Sequence, residues 1–185
     1  LRMLATPSGL ALTPRRVTLS TIGMVPALKR LAREPWLPNL AVSLHATTDA
    51  ARHELIQTSR KQRLADLVAA CRSFPLKHRD RITFEYVLLD GVNDTEADAH
   101  RLVTLLRGLR AKVNLIPLNE APGIPFSRPP DLHVDRFARI LASGKVIVSV
   151  RKSRGRDIRA ACGQLIVEGG PRQSPGQQAA QMVNG

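Results

Sequence analysis

Two periodicities alternate along the chain, one typical of strands and one typical of helices. Short apolar and β-branched segments predict five strands, at residues 16–20, 40–44, 81–88, 112–117 and 146–150. Apolar residues that recur every three or four positions predict helices at residues 24–34, 48–56, 64–74, 95–109 and 131–142. Thr95 followed by Asp98 is typical of a helix start. This alternation predicts an α/β fold with a parallel sheet and crossover helices.

Two architectures satisfy this order of elements: a (β/α) barrel, complete or partial, and an open doubly wound sheet. The chain has no Gly-x-Gly-x-x-Gly sequence and no other glycine-rich loop suited to a phosphate, which disfavours the nucleotide-binding open sheet. Polar residues lie at or just after the carboxyl ends of several predicted strands, namely Ser20, Ser43, His45, Asp90 and Asn119. In a (β/α) barrel these strand ends carry the active site. Polar residues also begin ordinary loops, so both interpretations stay open at this point.

The charge of the chain predicts a polyanionic partner. Lysine and arginine total 28 against 15 acidic residues, which gives a formal net charge of +13 and a pI near 11.3. Nucleic acid is the leading candidate, and an acidic membrane surface is the alternative. Aromatic residues make up only 3% of the chain, which disfavours a base-stacking platform. No stretch resembles a membrane span or a signal peptide, so we expect a cytoplasmic protein.

The two cysteines of the chain predict different environments. They form neither a disulfide framework nor a Cys-x-x-Cys metal motif. Cys71 lies on the apolar face of a predicted helix with Leu67 and Val68, so we expect it in the core. Cys162 follows a cluster of cations, and nearby positive charge favours the nucleophilic thiolate. On local chemistry alone, Cys162 is equally well interpreted as a small buried hydrophobic residue.

The cations that precede Cys162 are candidate contacts for RNA phosphates. They are Arg151, Lys152, Arg154, Arg156 and Arg159. A run of charge is more commonly a solvated face, but the charge of the whole chain favours RNA here.

Five motifs occur in order and carry a family resemblance. They are Arg-Arg-Val-Thr-Leu-Ser-Thr-Ile-Gly at 15–23, Val-Ser-Leu-His-Ala at 42–46, Phe-Glu-Tyr-Val-Leu-Leu-Asp-Gly-Val-Asn-Asp at 84–94, Val-Asn-Leu-Ile-Pro-Leu-Asn at 113–119 and Ala-Ala-Cys-Gly-Gln-Leu at 160–165. Together they resemble the radical-SAM RNA adenine C2 methyltransferases of the RlmN family. They also resemble its relative Cfr, which modifies C8. The resemblance covers residues 1–167.

The resemblance implies a partial (β/α)6 radical-SAM barrel, with residues 1–167 forming its C-terminal portion. We expect residues 168–185 to form a disordered tail, because they lack apolar periodicity. By the family pattern, the S-adenosylmethionine pocket is lined by Ser20, Ser43, Leu44, His45 and Asn119. Cys162 corresponds to the cysteine that carries the methyl group.

The resemblance also implies the chemistry and the partners. One S-adenosylmethionine methylates the cysteine, and a second is cleaved reductively by a [4Fe-4S] cluster to start radical transfer of the carbon to adenine. The implied substrates are 23S rRNA and, for some members, tRNA. The implied electron donor is a protein such as flavodoxin or ferredoxin. We expect a monomer.

The chain departs from the family pattern in several respects: the Gly-Glu element expected upstream of the first strands, the resolving cysteine and the N-terminal accessory domain are all missing. The Cys-x-x-x-Cys-x-x-Cys cluster motif is absent from these 185 residues, and position 1 is not methionine. We therefore expect the cluster ligands upstream of this chain, in a longer protein, and we expect the chain to be inactive alone. Three alternatives stay open: a Cfr-like C8 methyltransferase, a basic RNA-binding module without catalysis, and a barrel enzyme for a phosphorylated metabolite. The missing glycine loop and the high positive charge disfavour the third.

Overall fold

A computed structural model of the chain describes residue 3, residues 9–56 and residues 62–151. The strands are β1 Thr18–Thr21, β2 Asn39–Ser43, β3 Ile82–Leu88, β4 Ala111–Pro117 and β5 Ile147–Val150. The helices are α1 Val25–Leu31, α2 Asp49–Leu55, α3 Leu64–Arg72, α4 Glu96–Leu106 and α5 Asp131–Ser143. A short 3-10 helix, Pro14–Arg16, precedes β1. The five predicted strands and the helices between them are thus confirmed.

All strand pairs in the described sheet are parallel, and the strand order is β1-β2-β3-β4-β5. Each strand therefore lies beside its neighbour in the sequence. A doubly wound sheet reverses this order at a switch point, whereas a (β/α) barrel continues it in one direction. The strand order favours the barrel.

The two faces of the sheet differ in polarity. On β3, Phe84 and Tyr86 are fully buried, whereas Thr83 and Glu85, which alternate with them, are only half-buried. Phe84 and Tyr86 belong to the core between sheet and helices, where the Tyr86 ring lies 5.4 Å from that of Phe137 on α5, centroid to centroid. We call the helix-packed face the outer face and the opposite one the inner face. Alternation along a strand places Glu85 on the inner face.

The sequence pattern predicted most helix boundaries to within a few residues of their observed positions. The largest differences are at the carboxyl ends of α1, predicted at 24–34 and observed at Val25–Leu31, and of α4, predicted at 95–109 and observed at Glu96–Leu106. Arg107 adopts a ψ of 127°, which leaves the helix and begins the turn toward β4. At its other end the predicted cap is confirmed, because the Thr95 hydroxyl accepts a hydrogen bond from the Asp98 amide at 3.1 Å. Among the described residues, none of the helices has the length and apolar character needed to cross a bilayer.

Candidate functional site at the carboxyl edge of the sheet

A row of polar residues crosses four strands on the inner face. Ser43 on β2 pairs with Glu85 on β3, Glu85 with Asn114 on β4, and Asn114 with Ser149 on β5. The Ser149 hydroxyl donates a hydrogen bond to Oδ1 of Asn114 at 3.2 Å. The row thus places hydroxyl, carboxylate and amide groups side by side, from the carboxyl end of β2 across the middle of β3 and β4 to β5.

Two further predicted site residues lie along this edge. Ser20 on β1 pairs with Ala41, two residues before Ser43, and is exposed. Its neighbour Leu19 packs against the core, so alternation places Ser20 on the inner face. Asn119 is exposed and lies two residues beyond the end of β4. The structure therefore brings Ser20, Ser43 and Asn119 to one edge of one sheet.

His45 is held in a defined orientation at the end of β2. Its backbone has a φ of +56°, an uncommon value for a residue other than glycine. The ring Nδ1 accepts a hydrogen bond from the Val87 amide at 3.1 Å, and the His45 carbonyl accepts one from Asn93 at 2.7 Å. Burial and, secondarily, the positive charge of Arg52 lower the pKa of His45 to about 4. The imidazole is therefore neutral at neutral pH.

Leu44 lies between Ser43 and His45 in the sequence, but its side chain points to the opposite face of the sheet. Its side chain is fully buried in the core on the outer face. Its amide donates to the Glu85 carbonyl at 2.9 Å, and its carbonyl accepts from the Ala46 amide at 2.8 Å. The structure thus does not bring the Leu44 side chain to the polar row, and any contact of Leu44 with a ligand there is left to its backbone.

Arg52 on α2 is a site residue that the sequence pattern did not reveal. Its side chain is fully buried. Its Nη2 donates hydrogen bonds to the Ile22 carbonyl at 2.6 Å and to the Ser43 carbonyl at 3.4 Å. Ile22 follows β1 and Ser43 ends β2, so one guanidinium group links two strand ends at the candidate site.

Asn93 links the ends of β2 and β3 in a similar way. Its side-chain nitrogen donates to the carbonyls of His45 and Val87, both at 2.7 Å, and its side-chain oxygen accepts from the Leu89 amide at 2.8 Å. The Tyr86 hydroxyl donates to the Asn93 carbonyl at 2.9 Å. Because Asn93 is buried and its polar atoms are all bonded to these partners, it fixes the loop from which His45 is oriented.

A buried carboxylate fixes the neighbouring loop. Asp98 accepts hydrogen bonds from Thr47 at 2.6 Å, from Arg101 at 2.6 Å and from the hydroxyl of Thr95. Burial alone would raise the pKa of Asp98, but these hydrogen bonds and the charge of Arg101 bring it below its ordinary value. The loop after β2 is therefore anchored to the start of α4 by a charged group.

The ligand atoms of Asp90, Asp94 and His133 lie within 4.8 Å of one another, at the end of β3 and the start of α5. Nδ1 of His133 lies 3.1 Å from one Asp94 oxygen, and the Gly91 amide donates to the other at 3.0 Å. Asp90 and His133 are exposed. These contacts attach the loop after β3 to α5, and this structural role explains why the three residues lie together.

The described residues fit one of the two cofactors that the resemblance implies. Hydroxyl, carboxylate and amide groups along the row from Ser43 to Ser149 are suited to the ribose hydroxyls and amino group of S-adenosylmethionine. They do not fit a [4Fe-4S] cluster, which is held by cysteine thiolates. Cys71 is the one cysteine among the described residues; it is buried on α3, as predicted, and burial raises the pKa of its thiol to about 12.

Several predictions lie outside the described residues. They concern Cys162, the cations Lys152, Arg154, Arg156 and Arg159, and the tail at 168–185. Arg151 is described and exposed, and its amide donates to the Leu115 carbonyl at 2.8 Å, at the end of β5.

Comparison with known proteins gives a consistent result. No family model matches the chain. The dual-specificity RNA methyltransferase RlmN of Anaeromyxobacter dehalogenans is 51% identical over 185 residues, which is 100% of this chain and 49% of the relative. RlmN of Rhodospirillum rubrum is 52% identical over 158 residues, covering 85% of this chain and 37% of the relative. The chain thus spans about half or less of the length of these relatives.

Solved structures support the fold. A crystal structure of a radical SAM methyltransferase from Sphaerobacter thermophilus matches with a TM-score of 0.81 and 50% identity, over 88% of this chain and 48% of that chain. A domain of pyruvate-formate lyase-activating enzyme from Bacteroides vulgatus matches with a TM-score of 0.55 at 14% identity, which indicates a shared fold alone. The predicted partial barrel of the radical-SAM type is confirmed.

Proposed function

We infer that this chain belongs to the RlmN family, to which it is about half identical along its whole length, and we propose that the protein containing it is a radical-SAM RNA methyltransferase. The proposed reaction transfers a methyl group from S-adenosylmethionine to C2 of an adenosine in 23S rRNA, with tRNA as a second substrate. The proposed setting is the cytoplasm, with a monomeric enzyme and a flavodoxin- or ferredoxin-like electron donor. The observation that carries the proposal is the sequence identity of about one half between the whole chain and an RlmN protein. The polar row from Ser43 to Ser149 on the inner face of the sheet supports it.

In this proposal S-adenosylmethionine binds at the carboxyl edge of the sheet, against the polar row from Ser43 to Ser149. Ser20, Ser43 and Asn119 supply hydroxyl and amide groups for its polar atoms, and Leu44 contributes through its backbone. His45, neutral and fixed by Val87, offers a ring nitrogen without adding a positive charge next to a sulfonium. Bound there, S-adenosylmethionine supplies the methyl group and, together with a cluster, the radical that the reaction needs.

Cys162 is proposed as the acceptor of that methyl group. A thiol among cations is deprotonated more readily, and the thiolate is the attacking form. The cations from Arg151 to Arg159 would bind RNA phosphates close to it. A carrier is needed because C2 of adenine is an electrophilic ring carbon without an acidic proton, so simple polar methyl transfer does not work there.

We propose that the 185 residues alone do not carry out the reaction, because their two cysteines, Cys71 and Cys162, cannot supply a cluster motif. Reconstitution of this chain with iron and sulfide tests the point. Appearance of the absorption of a [4Fe-4S] cluster would contradict it.

Mass spectrometry of the longer protein, purified from its host, tests the central proposal. Cys162 should carry the mass of one added methylene group, and Cys162→Ala should abolish both this mark and RNA methylation. Cys71→Ala is the matched control, and it should retain both. A Cys162 side chain that is unmodified under all growth conditions would contradict the proposal.

Two other functions make different predictions. A Cfr-like enzyme would place the methyl group on C8, which digestion of the RNA and mass spectrometry of the nucleosides distinguishes from C2. A basic RNA-binding module without catalysis would bind RNA, and Cys162→Ala would have no effect in the longer protein.

A further inference from the structure

The amino edge of strands β3 and β4 carries a dense group of cations. Residues 72–81 and 107–112 contain seven lysines and arginines and one acidic residue, Asp80. All seven cations are exposed. We call them the basic edge: Arg72, Lys77, Arg79, Arg81, Arg107, Arg110 and Lys112.

Hydrogen bonds and strand register bring these residues together. Arg110 donates to the carbonyls of Leu76 and Lys77, both at 2.8 Å, and so anchors the loop before β3. Arg72, at the end of α3, donates to the Arg107 carbonyl, at the end of α4, at 3.0 Å. The Ile82 amide bonds to the Arg110 carbonyl at 3.0 Å, which places the preceding Arg81 beside Arg110. The basic edge is thus one continuous surface fixed by the fold.

Carboxylates do not neutralise this surface within the described part of the chain. The ion pairs seen there join Arg101 to Asp98, Arg128 to Asp131, His133 to Asp94 and Arg136 to Glu96, none of them on the basic edge.

Helix dipoles explain only part of the basic edge. Arg72 and Arg107 lie at the carboxyl ends of α3 and α4, where a cation stabilises a helix. Lys77, Arg79 and Arg81 lie in the connection from α3 to β3 and are not in the last turn of any helix. Their number and exposure call for another explanation.

The opposite ends of the same two strands have the reverse charge. Residues 89–96 and 118–131, which follow β3 and β4, contain five acidic residues and one cation, Arg128. Within the described residues, these two loops beside the candidate site therefore carry a net negative charge and attract phosphates poorly. An RNA bound at the candidate site would be attracted more strongly by the basic edge, at the amino ends of β3 and β4, than by the loops that follow these strands.

We propose that the basic edge binds the phosphate backbone of the RNA substrate at a distance from the target nucleotide. The proposal rests on the proposed function, since it assigns a second contact surface for the same substrate. A seven-residue strand such as β3 is about 23 Å long. A substrate that contacts both edges must therefore be a folded RNA, larger than the loop that enters the site. The contacts are to phosphates, so they add affinity without sequence preference.

Fluorescence anisotropy with the longer protein and a labelled folded tRNA tests this proposal. The variant Lys77→Ala/Arg79→Ala/Arg81→Ala removes three charges whose side chains make no hydrogen bond seen in the structure. Binding should weaken by about tenfold or more at moderate salt, and the slope of log affinity against log salt should fall by about 2. Arg79→Glu, a single change in the exposed loop, should weaken binding in the same direction if the triple variant does not fold.

The matched control is Lys29→Ala/Arg30→Ala/Arg33→Ala, which removes the same charge from exposed positions on and just after α1. It should change the affinity several-fold less than the basic-edge variant. Equal losses for both variants, or no loss for the basic-edge variant, would overturn the proposal. So would loss of binding to phosphatidylglycerol vesicles with RNA binding unchanged, which would identify a membrane surface as the partner.

Failure of this inference can be told apart from failure of the proposed function. Methylation of Cys162 in the longer protein does not depend on the basic edge, so the basic-edge variant should retain the mass increase on that residue. Absence of the mark in the unaltered protein would contradict the proposed function, whatever the binding experiment shows. A mark that is present, with tRNA binding unaffected by the basic-edge variant, would contradict the inference alone.

Discussion

The Nδ1 atom of His45 accepts a hydrogen bond from the backbone amide of Val87 at 3.1 Å. An amide N–H can only donate, so this ring nitrogen must keep its lone pair and the proton must sit on Nε2. Protonation of Nδ1 would break the contact and place a second cation near Arg52. The link between β2 and β3 therefore requires a neutral imidazole.

The first prediction is a loss of stability in acid that is due to His45. Its pKa is about 4 in the folded protein and 6.5 without the fold. Between these values the unfolded chain takes up a proton that the folded chain does not, so stability should fall as the pH is lowered from 6.5 toward 4. The expected loss is roughly 3 kcal/mol, measurable by urea denaturation at several pH values. His45→Asn keeps an acceptor and tolerates the positive φ, so it should flatten this part of the profile. An unchanged profile would contradict the assignment.

The second prediction concerns Arg52. Replacing it in the variant Arg52→Met should destabilise the fold by roughly 3 kcal/mol, because the carbonyls of Ile22 and Ser43 lose a charged donor in a buried place. Removing the charge should also raise the pKa of His45, which NMR titration of the ring measures. Arg30→Met, on the exposed side of α1, is the control and should change stability by no more than about 0.5 kcal/mol. An Arg52→Met variant as stable as the parent would show that the link between the strand ends contributes little.

The third prediction concerns Asn93. Asn93→Ala removes both donors and the acceptor that bind His45, Val87 and Leu89, and it should cost roughly 3 kcal/mol of the free energy of unfolding. Tyr86→Phe removes a single hydrogen bond from the same place and should cost about 1 kcal/mol. Thermal or chemical denaturation compares the two variants. Equal losses would contradict the conclusion that the three hydrogen bonds of the Asn93 side chain stabilise this loop more than the single one from Tyr86.

The fourth prediction compares two glycines with positive φ. Gly23 has a φ of +84°, and a Cβ there would lie 2.6 Å from Cδ1 of Leu67, which is fully buried. Gly91 has a φ of +66°, and a Cβ there would meet no atom within 4 Å. Gly91→Ala should cost about 1 kcal/mol from backbone strain alone, and Gly23→Ala roughly 3 kcal/mol because the core is also overpacked. Equal losses in denaturation experiments would show that the helix carrying Leu67 shifts to make room.

Periodicity predicted the fold well because the two faces of the central strands β3 and β4 differ in burial. On β3 and β4, buried and partly exposed residues alternate without interruption, and parallel strands separated by helices permit few topologies. The helix ends were less predictable. Arg107 leaves the helix because of its backbone conformation, and nothing in its side chain signals this.

The candidate site was only partly predictable from the sequence. Ser43 ends a strand and His45 follows it, and both positions can be read from the sequence pattern. Glu85 could be placed on a face, but its position beside Ser43 and Asn114 depends on the register of three strands. Arg52 resembles a solvated helix cation in the sequence, because its burial depends on carbonyl groups of two distant strand ends. The assignment of Cys162 stays a prediction.

The strictly sequential strand order has a consequence for how the chain forms during its synthesis. From β2 to β5, each strand of the described sheet pairs with one that has already been translated, and none of these strands has to insert between two earlier ones. Each new βα unit can therefore dock on a finished edge as it emerges from the ribosome. Contacts between neighbours in sequence close short loops, so assembly can proceed unit by unit, without waiting for a distant segment.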